Sequence, residues 1–381
     1  MTEATAGLLV DLLDALVDER EDYGHVADAA DTLGVRGILS RVATSRMPPL
    51  PEGDRVYSLL WDETLMEARD DLGELLGSLS IPYLMYKGGA LLGEEYRPGD
   101  VSMVDLDVLV PLEASDRAAA ALEAEGWPRQ DPVGGPPLPG APGGVFARPL
   151  GAGAIDIVEF DVHWRVAPVE RLFPWRGEAL PEEVWRCARR SGAGPVPRAG
   201  HHAALLVHHL VRHDLLHFRS VFDLVQLWPA LLDPEESQAF AALSAEFGVA
   251  RAAGWLCRAL ENELRLEGLG PGGPRFPSSR APTSLRTLRS LIGLALDATA
   301  RQVEAMTLAR GLRRLVMVDH PVRASRTLLT DALVPPHEYL RWRWPASAGP
   351  ARRIRHLGRV IGRVTEDEAA VPLLDDPPEM R

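Results

Sequence analysis

The feature that most restricts the possible folds is a short segment, residues 105–110, with the sequence DLDVLV. In a strand the side chains alternate, so Asp105 and Asp107 would share one face while Leu106 and Val108 share the other. The two carboxylates would lie about 6–7 Å apart at the backbone, and they would repel each other unless solvent or a cation neutralises them. A solvent-facing edge strand could carry such a pair harmlessly. The fully apolar opposite face instead favours a central strand whose carboxylates converge on one divalent cation.

A second strand, predicted over residues 155–166, carries a third carboxylate. Alternation places Asp161 and His163 on one face together with Glu159, and it places the apolar side chains on the other face. The preceding residues 131–153 are dense in glycine and proline, which predicts a mobile loop beside the site.

Lys87 is the single lysine among the 41 lysine and arginine residues of the chain. It stands between a short apolar run, predicted as a strand over residues 82–86, and the pair Gly88 and Gly89. The glycines would end the strand and let a ligand approach the backbone closely. A short helix predicted over residues 90–96 would then present its N-terminus to a phosphate. The alternative interpretation is a plain strand-to-helix turn.

The composition is typical of a soluble globular protein, with 46% hydrophobic and 25% charged residues. No apolar run reaches the ~20 residues of a membrane span, and the first residues lack the basic start and apolar core of a signal peptide. The two cysteines form no motif, so we expect a cytoplasmic protein. The net charge of −13 contrasts with 12 arginines in residues 310–363. Those arginines either pack against the acidic N-terminal part or attract an anionic partner.

The length of 381 residues favours more than one domain, and helical periodicity dominates both ends of the chain. A long helix is predicted from about Asp54 to Leu79. Its apolar side would consist of Leu59, Leu60, Leu65, Leu72, Leu75 and Leu76. From Pro181 onward the sequence predicts helices only. We therefore expect an N-terminal helical segment (1–80), a core that carries the acidic strands (81–180), a helical domain (181–363) and a disordered acidic tail (364–381).

Histidines in the helical part offer a second candidate metal site. His209, His213 and His217 are spaced four residues apart on one predicted helical face and could bind zinc. No cysteine or carboxylate completes the set, which favours histidines of the core or of a site wall. Asp223 lies among apolar residues of the next predicted helix, so we expect it to pair with His213 or with an arginine.

The acidic strands have the composition of a two-metal phosphoryl-transfer site, in which two Mg²⁺ ions clamp the attacking and leaving oxygens. Asp105, Asp107 and Asp161 would hold the metals, since Mg²⁺ prefers carboxylates and phosphate oxygens. Mn²⁺ is a possible substitute. Lys87 and the backbone of the two glycines would steady a triphosphate, and His163 would either support the metal ligands or contact the acceptor.

At these residues the chain resembles the polymerase-β-like nucleotidyltransferase superfamily. More closely, it looks like an uncharacterised bacterial nucleotidyltransferase family whose members carry Lys-Gly, then Asp-x-Asp-x-Leu-Val, then Asp-x-His-Trp. Those motifs stand here at Lys87-Gly88, at 105–110 and at 161–164. His213 followed by Asp223, and the late proline- and arginine-rich segment, extend the resemblance to residues 80–363. Relatives usually have Arg-Pro-Met before the first metal strand, where this chain has Val101-Ser102-Met103, and Arg97 is the candidate substitute.

The resemblance implies an α+β fold, with a small mixed sheet and flanking helices, that transfers an NMP from an NTP such as ATP to a hydroxyl acceptor. The resemblance implies that residues 81–180 carry the catalytic site and that the helical residues 181–363 recognise the acceptor. Some members of the family accompany the biosynthesis of ribosomally made peptides or surface polymers, so the resemblance is compatible with tailoring of a peptide natural product or surface molecule. An RNA acceptor, bound through the C-terminal arginines, is the less favoured alternative. Two alternatives stay open. The same metals could transfer a sugar or a phosphate from an activated nucleotide, or the chain could be a non-catalytic nucleotide-binding module.

Overall fold

The structure is a computed structural model with a five-stranded mixed sheet at its centre. The structure describes residues 6–11, 26–32, 34–43, 47–103, 105–130, 143–149, 157–165, 180–212, 218–264, 266, 318–322, 324–326, 350 and 354. The strands are β1 (Leu84–Met85), β2 (Asp105–Leu109), β3 (Arg129–Gln130), β4 (Gly143–Pro149) and β5 (Ile157–His163). Their order across the sheet is β1-β2-β5-β4-β3. Only the β2–β5 pair is parallel within this sheet. With helices on its flanks, this sheet confirms the predicted α+β class.

Strand β2 lies inside the sheet between β1 and β5, as its apolar face predicted. Leu106 and Val108 are fully buried, and so are Phe146 of β4 and Phe160 of β5. The ring of Phe160 packs on Trp127, with 4.4 Å between the ring centroids. Burial of this aromatic and aliphatic face fixes the strand register, because a slip by one residue would turn the apolar side chains outward.

Helices precede and flank the sheet. Residues 6–11 are helical, and the α-helices that follow are α1 (Val26–Thr32), α2 (Arg36–Val42), α3 (Glu52–Ser78), α4 (Lys87–Leu91) and α5 (Ser115–Ala124). Helix α3 buries Leu65, Leu72 and Leu76. Leu60 was assigned to this apolar side but is 59% exposed. That assignment is wrong because residue 60 lies in the N-terminal third of α3, where most side chains are exposed.

The N-terminal helices contact the loop before β2 through very close backbone packing. The backbone N–H of Ile38 donates to the carbonyl of Asp100 over 2.6 Å, and Arg41 Nε donates to Asp100 Oδ1 over 2.6 Å. A Cβ atom at Gly37 would lie 1.9 Å from the Gly99 carbonyl oxygen. Only glycine therefore allows α2 to reach this loop.

The helical part contains α6 (Glu182–Arg186), α7 (Ala199–Arg212), α8 (Phe218–Leu231), α9 (Pro234–Glu246) and α10 (Ala250–Glu263). Helix α7 packs against α8 and α9, and all its residues from 201 to 211 are buried. A helix that is buried on every side is part of the hydrophobic core. Asp233 caps α9 by accepting hydrogen bonds from the backbone N–H groups of Glu235 and Glu236.

Three local predictions are wrong. Residues 143–149 of the predicted 131–153 loop form strand β4, because pairing along β5 satisfies their backbone despite the glycine-rich sequence. Beyond Pro181 the chain is not purely helical, since β6 (Arg189–Ser191) and β7 (Gly194–Val196) form a hairpin. The predicted helix over 90–96 instead begins at Lys87 and ends at Leu91, so both glycines lie inside it.

Several predictions fall outside the described residues. They concern His213 and His217, the remainder of the predicted loop before β5, the arginines of 352–363 and the acidic tail. No helix in the described part of the chain combines the length and the hydrophobicity needed to cross a membrane.

Candidate active site

The parallel pairing of β2 and β5 aligns the acidic residues of the two strands. Asp107 is the register partner of Asp161, and Asp105 is the partner of Glu159. Because register partners of adjacent strands point to the same sheet face, Asp107 and Asp161 lie side by side. His163, two residues further along β5, points to this face as well.

Asp107, Asp161 and His163 form a tight group of side chains. Their ligand atoms all lie within 4.8 Å of one another, the only such metal-ligating group found in the described residues. His163 Nε2 is 3.1 Å from Asp107 Oδ1 and 3.0 Å from Asp161 Oδ2. The imidazole edge thus bridges two carboxylates of neighbouring strands. Asp105, predicted as the third ligand, lies outside this group.

Lys87 contacts this group from the first residue of helix α4. Its ammonium forms an ion pair with Asp107 and lies 5.1 Å from the ring centroid of Tyr86. The backbone of Lys87 has φ of +53°, a left-handed conformation that costs a non-glycine residue of order 1–3 kcal/mol. Such a conformation persists only where the surroundings enforce it, and it directs the side chain toward β2.

Burial and mutual charge shift the pKa values of the group in opposite directions. Burial, reinforced by the charge of Asp107 and opposed by Lys87, raises the pKa of Asp105 to about 6. Burial would raise the pKa of Asp107 too, but the charges and hydrogen bonds of Lys87 and His163 outweigh it and lower that pKa. Burial alone would lower the pKa of His163, yet Asp161 and Asp107 raise it. Lys87 and His163 therefore stabilise the charged form of Asp107.

The donor set fits a divalent cation. Two carboxylates suit Mg²⁺ and Mn²⁺, whereas an imidazole nitrogen is more typical of transition metals. Since a ligating histidine must be neutral, a metal bound at Nε2 of His163 would displace the proton that the two carboxylates favour there. Asp107 and Asp161 are thus the residues best suited to hold an ion, and Asp105 is close enough to raise the local negative charge.

The two glycines serve packing at the edge of this group. A Cβ atom at Gly88 would lie 2.6 Å from Arg219 Nη2 and 3.0 Å from the sulfur of Met103. A Cβ atom at Gly89 would lie 3.1 Å from Leu106 Cδ2. Glycine at both positions therefore lets α4 lie directly on β2 and beside the guanidinium of Arg219.

The other predicted site residues lie farther out. Arg97 is exposed, and its backbone N–H donates to Asp100 Oδ2. Asp223 is buried and accepts a 2.8 Å hydrogen bond from the Tyr96 hydroxyl, which was not predicted. Of the two expected partners, an arginine acts on it through the charge of Arg219, and His213 lies outside the described residues. Burial raises the pKa of Asp223, although Arg219 opposes the shift. His209 is buried in α7.

Two residues of the helical part reach the site without having been predicted. His202 of α7 is 1% exposed and hydrogen-bonds the backbone of Lys87, while burial lowers its pKa to about 3. Arg219 of α8 donates from Nη1 to the carbonyl of Ser102 over 2.6 Å. The sequence carried little signal for either one, since His202 stands in a histidine-rich apolar helix and Arg219 is one of many arginines.

Carboxylates on adjacent strands of a small mixed sheet, faced by a lysine, could hold a divalent cation beside an anionic ligand. The comparison with known families agrees, because the model of the uncharacterised nucleotidyltransferase family matches residues 61–262. The chain belongs to that family. No curated protein matches the chain. The family match and the acidic group together support a role in nucleotidyl transfer.

Proposed function

We propose that this protein is a Mg²⁺-dependent nucleotidyltransferase that transfers an NMP from an NTP to a hydroxyl group of an acceptor. The observation that carries the proposal is the register pairing of Asp107 with Asp161, which gathers two carboxylates and His163 within 4.8 Å. The family match over residues 61–262 supplies the reaction class.

In the reaction the acceptor hydroxyl would lose its proton to Asp161 while its oxygen attacks the α-phosphorus, and the bond from that phosphorus to the bridging oxygen would break as pyrophosphate leaves. Asp107 and Asp161 would hold a divalent cation, which would supply charge neutralisation for the transferred phosphoryl group. Asp105 would add a ligand for a second ion or for a bound water. The ammonium of Lys87 pairs with Asp107 in this structure and could exchange that carboxylate for a phosphate oxygen.

His163 would stabilise the ligand carboxylates before the substrate arrives. Its Nε2 lies about equally far from Asp107 and Asp161, so a proton there reduces the repulsion between them. Binding of a cation would replace this proton, and the imidazole could then contact the acceptor.

We propose that residues 81–180 form the catalytic core and that the helical residues from 181 onward recognise the acceptor. His202 and Arg219 belong to this helical part, and both reach the core at α4. The two parts would therefore act as one site. An acceptor of the small-molecule or peptide class suits this proposal, and a nucleic-acid acceptor would instead give strongly salt-dependent binding.

The test is mass spectrometry of candidate acceptors incubated with the protein, an NTP mixture and Mg²⁺. The proposal expects an added NMP, with pyrophosphate as the second product. An added hexose or an added phosphate would show that the protein transfers a sugar or a phosphate instead of a nucleotide. Metal-dependent nucleotide binding without any product, across a broad acceptor panel, would identify a non-catalytic module.

Variants of the acidic group make this test specific. Asp107→Asn and Asp161→Asn should each abolish product formation, because each removes one charged ligand. Glu113→Gln, which changes an exposed carboxylate beyond β2, should leave the product yield unchanged. Equal activity of the wild type and the two aspartate variants would show that the active site lies elsewhere in the protein.

A further inference from the structure

Arg219 is held over the first turn of α4 by contacts on two sides. Its Nη1 donates to the Ser102 carbonyl over 2.6 Å, which anchors the guanidinium to the segment that leads into β2. Its Nη2 occupies the space beside Gly88, where a Cβ atom would approach it to 2.6 Å. The guanidinium therefore lies next to the residue that follows Lys87 in the chain.

The charge of Arg219 acts on three buried or half-buried carboxyl groups. It lowers the pKa of Asp62, of Asp105 and of Asp223, in each case against the larger effect of burial. Asp105 belongs to the acidic strand β2, whereas the other two belong to α3 and α8. Arg219 thus interacts electrostatically with a carboxyl group of the acidic strand and with carboxyl groups of two helices.

We propose that Arg219 binds the phosphate groups of the nucleotide, a role that the sequence had predicted for Arg97. This inference rests on the proposed function and names a further residue of the same site. A guanidinium offers five donors in a planar fork that matches phosphate oxygens, and the bond to Ser102 uses one of them. Arg97 is exposed, whereas Arg219 lies against the helix that carries Lys87.

The local charge balance supports this role. An incoming triphosphate brings several negative charges toward Asp105, Asp107 and Asp161, and such an approach is unfavourable without nearby cations. Lys87 faces these carboxylates from α4, and Arg219 faces Asp105 from α8. Two cations on neighbouring elements could bind different phosphates of one nucleotide, and the absence of a side chain at Gly88 lets the Arg219 guanidinium approach the start of α4.

A purely structural role as counter-ion of Asp62 and Asp223 is the competing explanation. That role predicts lower stability on substitution and an equal effect on every nucleotide. A phosphate contact instead predicts an effect that grows with the number of phosphates. The number of phosphates on the ligand therefore separates the two explanations.

The experiment is calorimetric titration of ATP, ADP and AMP with Mg²⁺ into the wild type, Arg219→Gln and Arg190→Gln. Arg190 is an exposed arginine of β6 and serves as the matched control. For Arg219→Gln we expect ATP affinity to fall roughly 10-fold or more, since a charged hydrogen bond is lost. We expect AMP affinity to change less than about threefold. Arg190→Gln should bind all three as the wild type does.

A second variant keeps the proposal testable if Arg219→Gln unfolds. Gly88→Ala retains the charge of Arg219 but pushes its Nη2 away, so ATP affinity should fall while thermal stability changes little. Equal losses for ATP and AMP, or an unchanged ATP affinity in folded Arg219→Gln, would overturn the phosphate contact alone. A wild type that binds none of these nucleotides, nor GTP, CTP or UTP, would overturn the proposed function as well.

Discussion

His202 of α7 hydrogen-bonds the backbone of Lys87, the residue whose ammonium pairs with Asp107. Burial lowers the pKa of His202 to about 3, so the imidazole is neutral at any working pH. Its Nε2 is buried and has no hydrogen-bond partner among the described residues. The bond to Lys87 is thus the polar contact that the structure gives this side chain, and it reaches a residue with φ of +53°.

We expect His202→Leu to weaken nucleotide binding by roughly 3- to 10-fold, because Lys87 would lose a contact that stabilises its backbone conformation. Isothermal titration with the preferred NTP measures this change. If His202 acts through Lys87, the His202→Leu substitution should add little in a Lys87→Met background. His201→Leu, on the same helix, is the control for general packing. Equal losses with and without the lysine would contradict the positioning role.

A pair of glycine substitutions tests how α2 is docked. Gly37→Ala would place a Cβ atom 1.9 Å from the Gly99 carbonyl, so we expect a loss of about 1–3 kcal/mol in the free energy of unfolding. Gly53→Ala, in the first turn of α3, meets no atom within 4 Å and should be neutral or stabilising by up to about 1 kcal/mol. Urea denaturation gives both values. A neutral Gly37→Ala would show that α2 does not contact the Gly99 loop in solution.

Asp62 should make stability fall as the pH rises through the weakly acidic range. Burial raises its pKa from 3.8 to about 6 in the folded protein, so the native state holds a proton that the unfolded chain releases. With respect to this group, stability is therefore greatest below about pH 4, and it falls as the pH rises from there to about 6. Asp62→Asn should remove this decline and raise the free energy of unfolding at pH 8 by about 1–2 kcal/mol.

Thermal or urea unfolding at pH 5 and pH 8 measures the effect of Asp62→Asn. Asp71→Asn, which changes an exposed carboxylate of the same helix, is the control. If Asp62→Asn destabilises the protein at pH 8, then the charged form of Asp62 is stabilised in the native state and the assigned direction is wrong.

Divalent cations should stabilise the protein through Asp107 and Asp161. We expect Mn²⁺ or Mg²⁺, added after treatment with EDTA, to raise the melting temperature, because a ligand that binds only the native state stabilises it. Asp161→Asn should reduce the affinity for Mn²⁺ at least about tenfold, measured by calorimetry. Glu113→Gln should bind Mn²⁺ as the wild type does. A metal response that persists in Asp161→Asn would place the ion at another site.

The alternation of the two acidic strands was readable from the sequence, because period-two patterns bounded by polar residues are strong local signals. The sequence also predicted that carboxylates of both strands meet, but the parallel register that pairs Asp107 with Asp161 has no local signal in either strand. Strand β4 escaped notice because its flanks are rich in glycine and proline. Its pairing with β5 depends on a partner strand that no local pattern identifies.

The contributions of Arg219 and His202 depend on tertiary structure alone. A single arginine among many, or a histidine in an apolar helix, has no local property that shows which distant backbone it will contact. The glycines were expected to serve ligand approach, whereas the structure also gives them close contacts with Arg219 and with Leu106. A single sequence therefore does not show which residues of separate helices and strands meet at the site.

The parallel pairing of β2 with β5 has a consequence for synthesis of the protein. Parallel strands need a long crossover, so the partner of Asp107 is made 54 residues later than Asp107 itself. On the ribosome, a nascent chain would hold only half of the acidic group until β5 emerges, and Arg219 follows later still. Nucleotide binding would thus become available only after most of the family region has been translated.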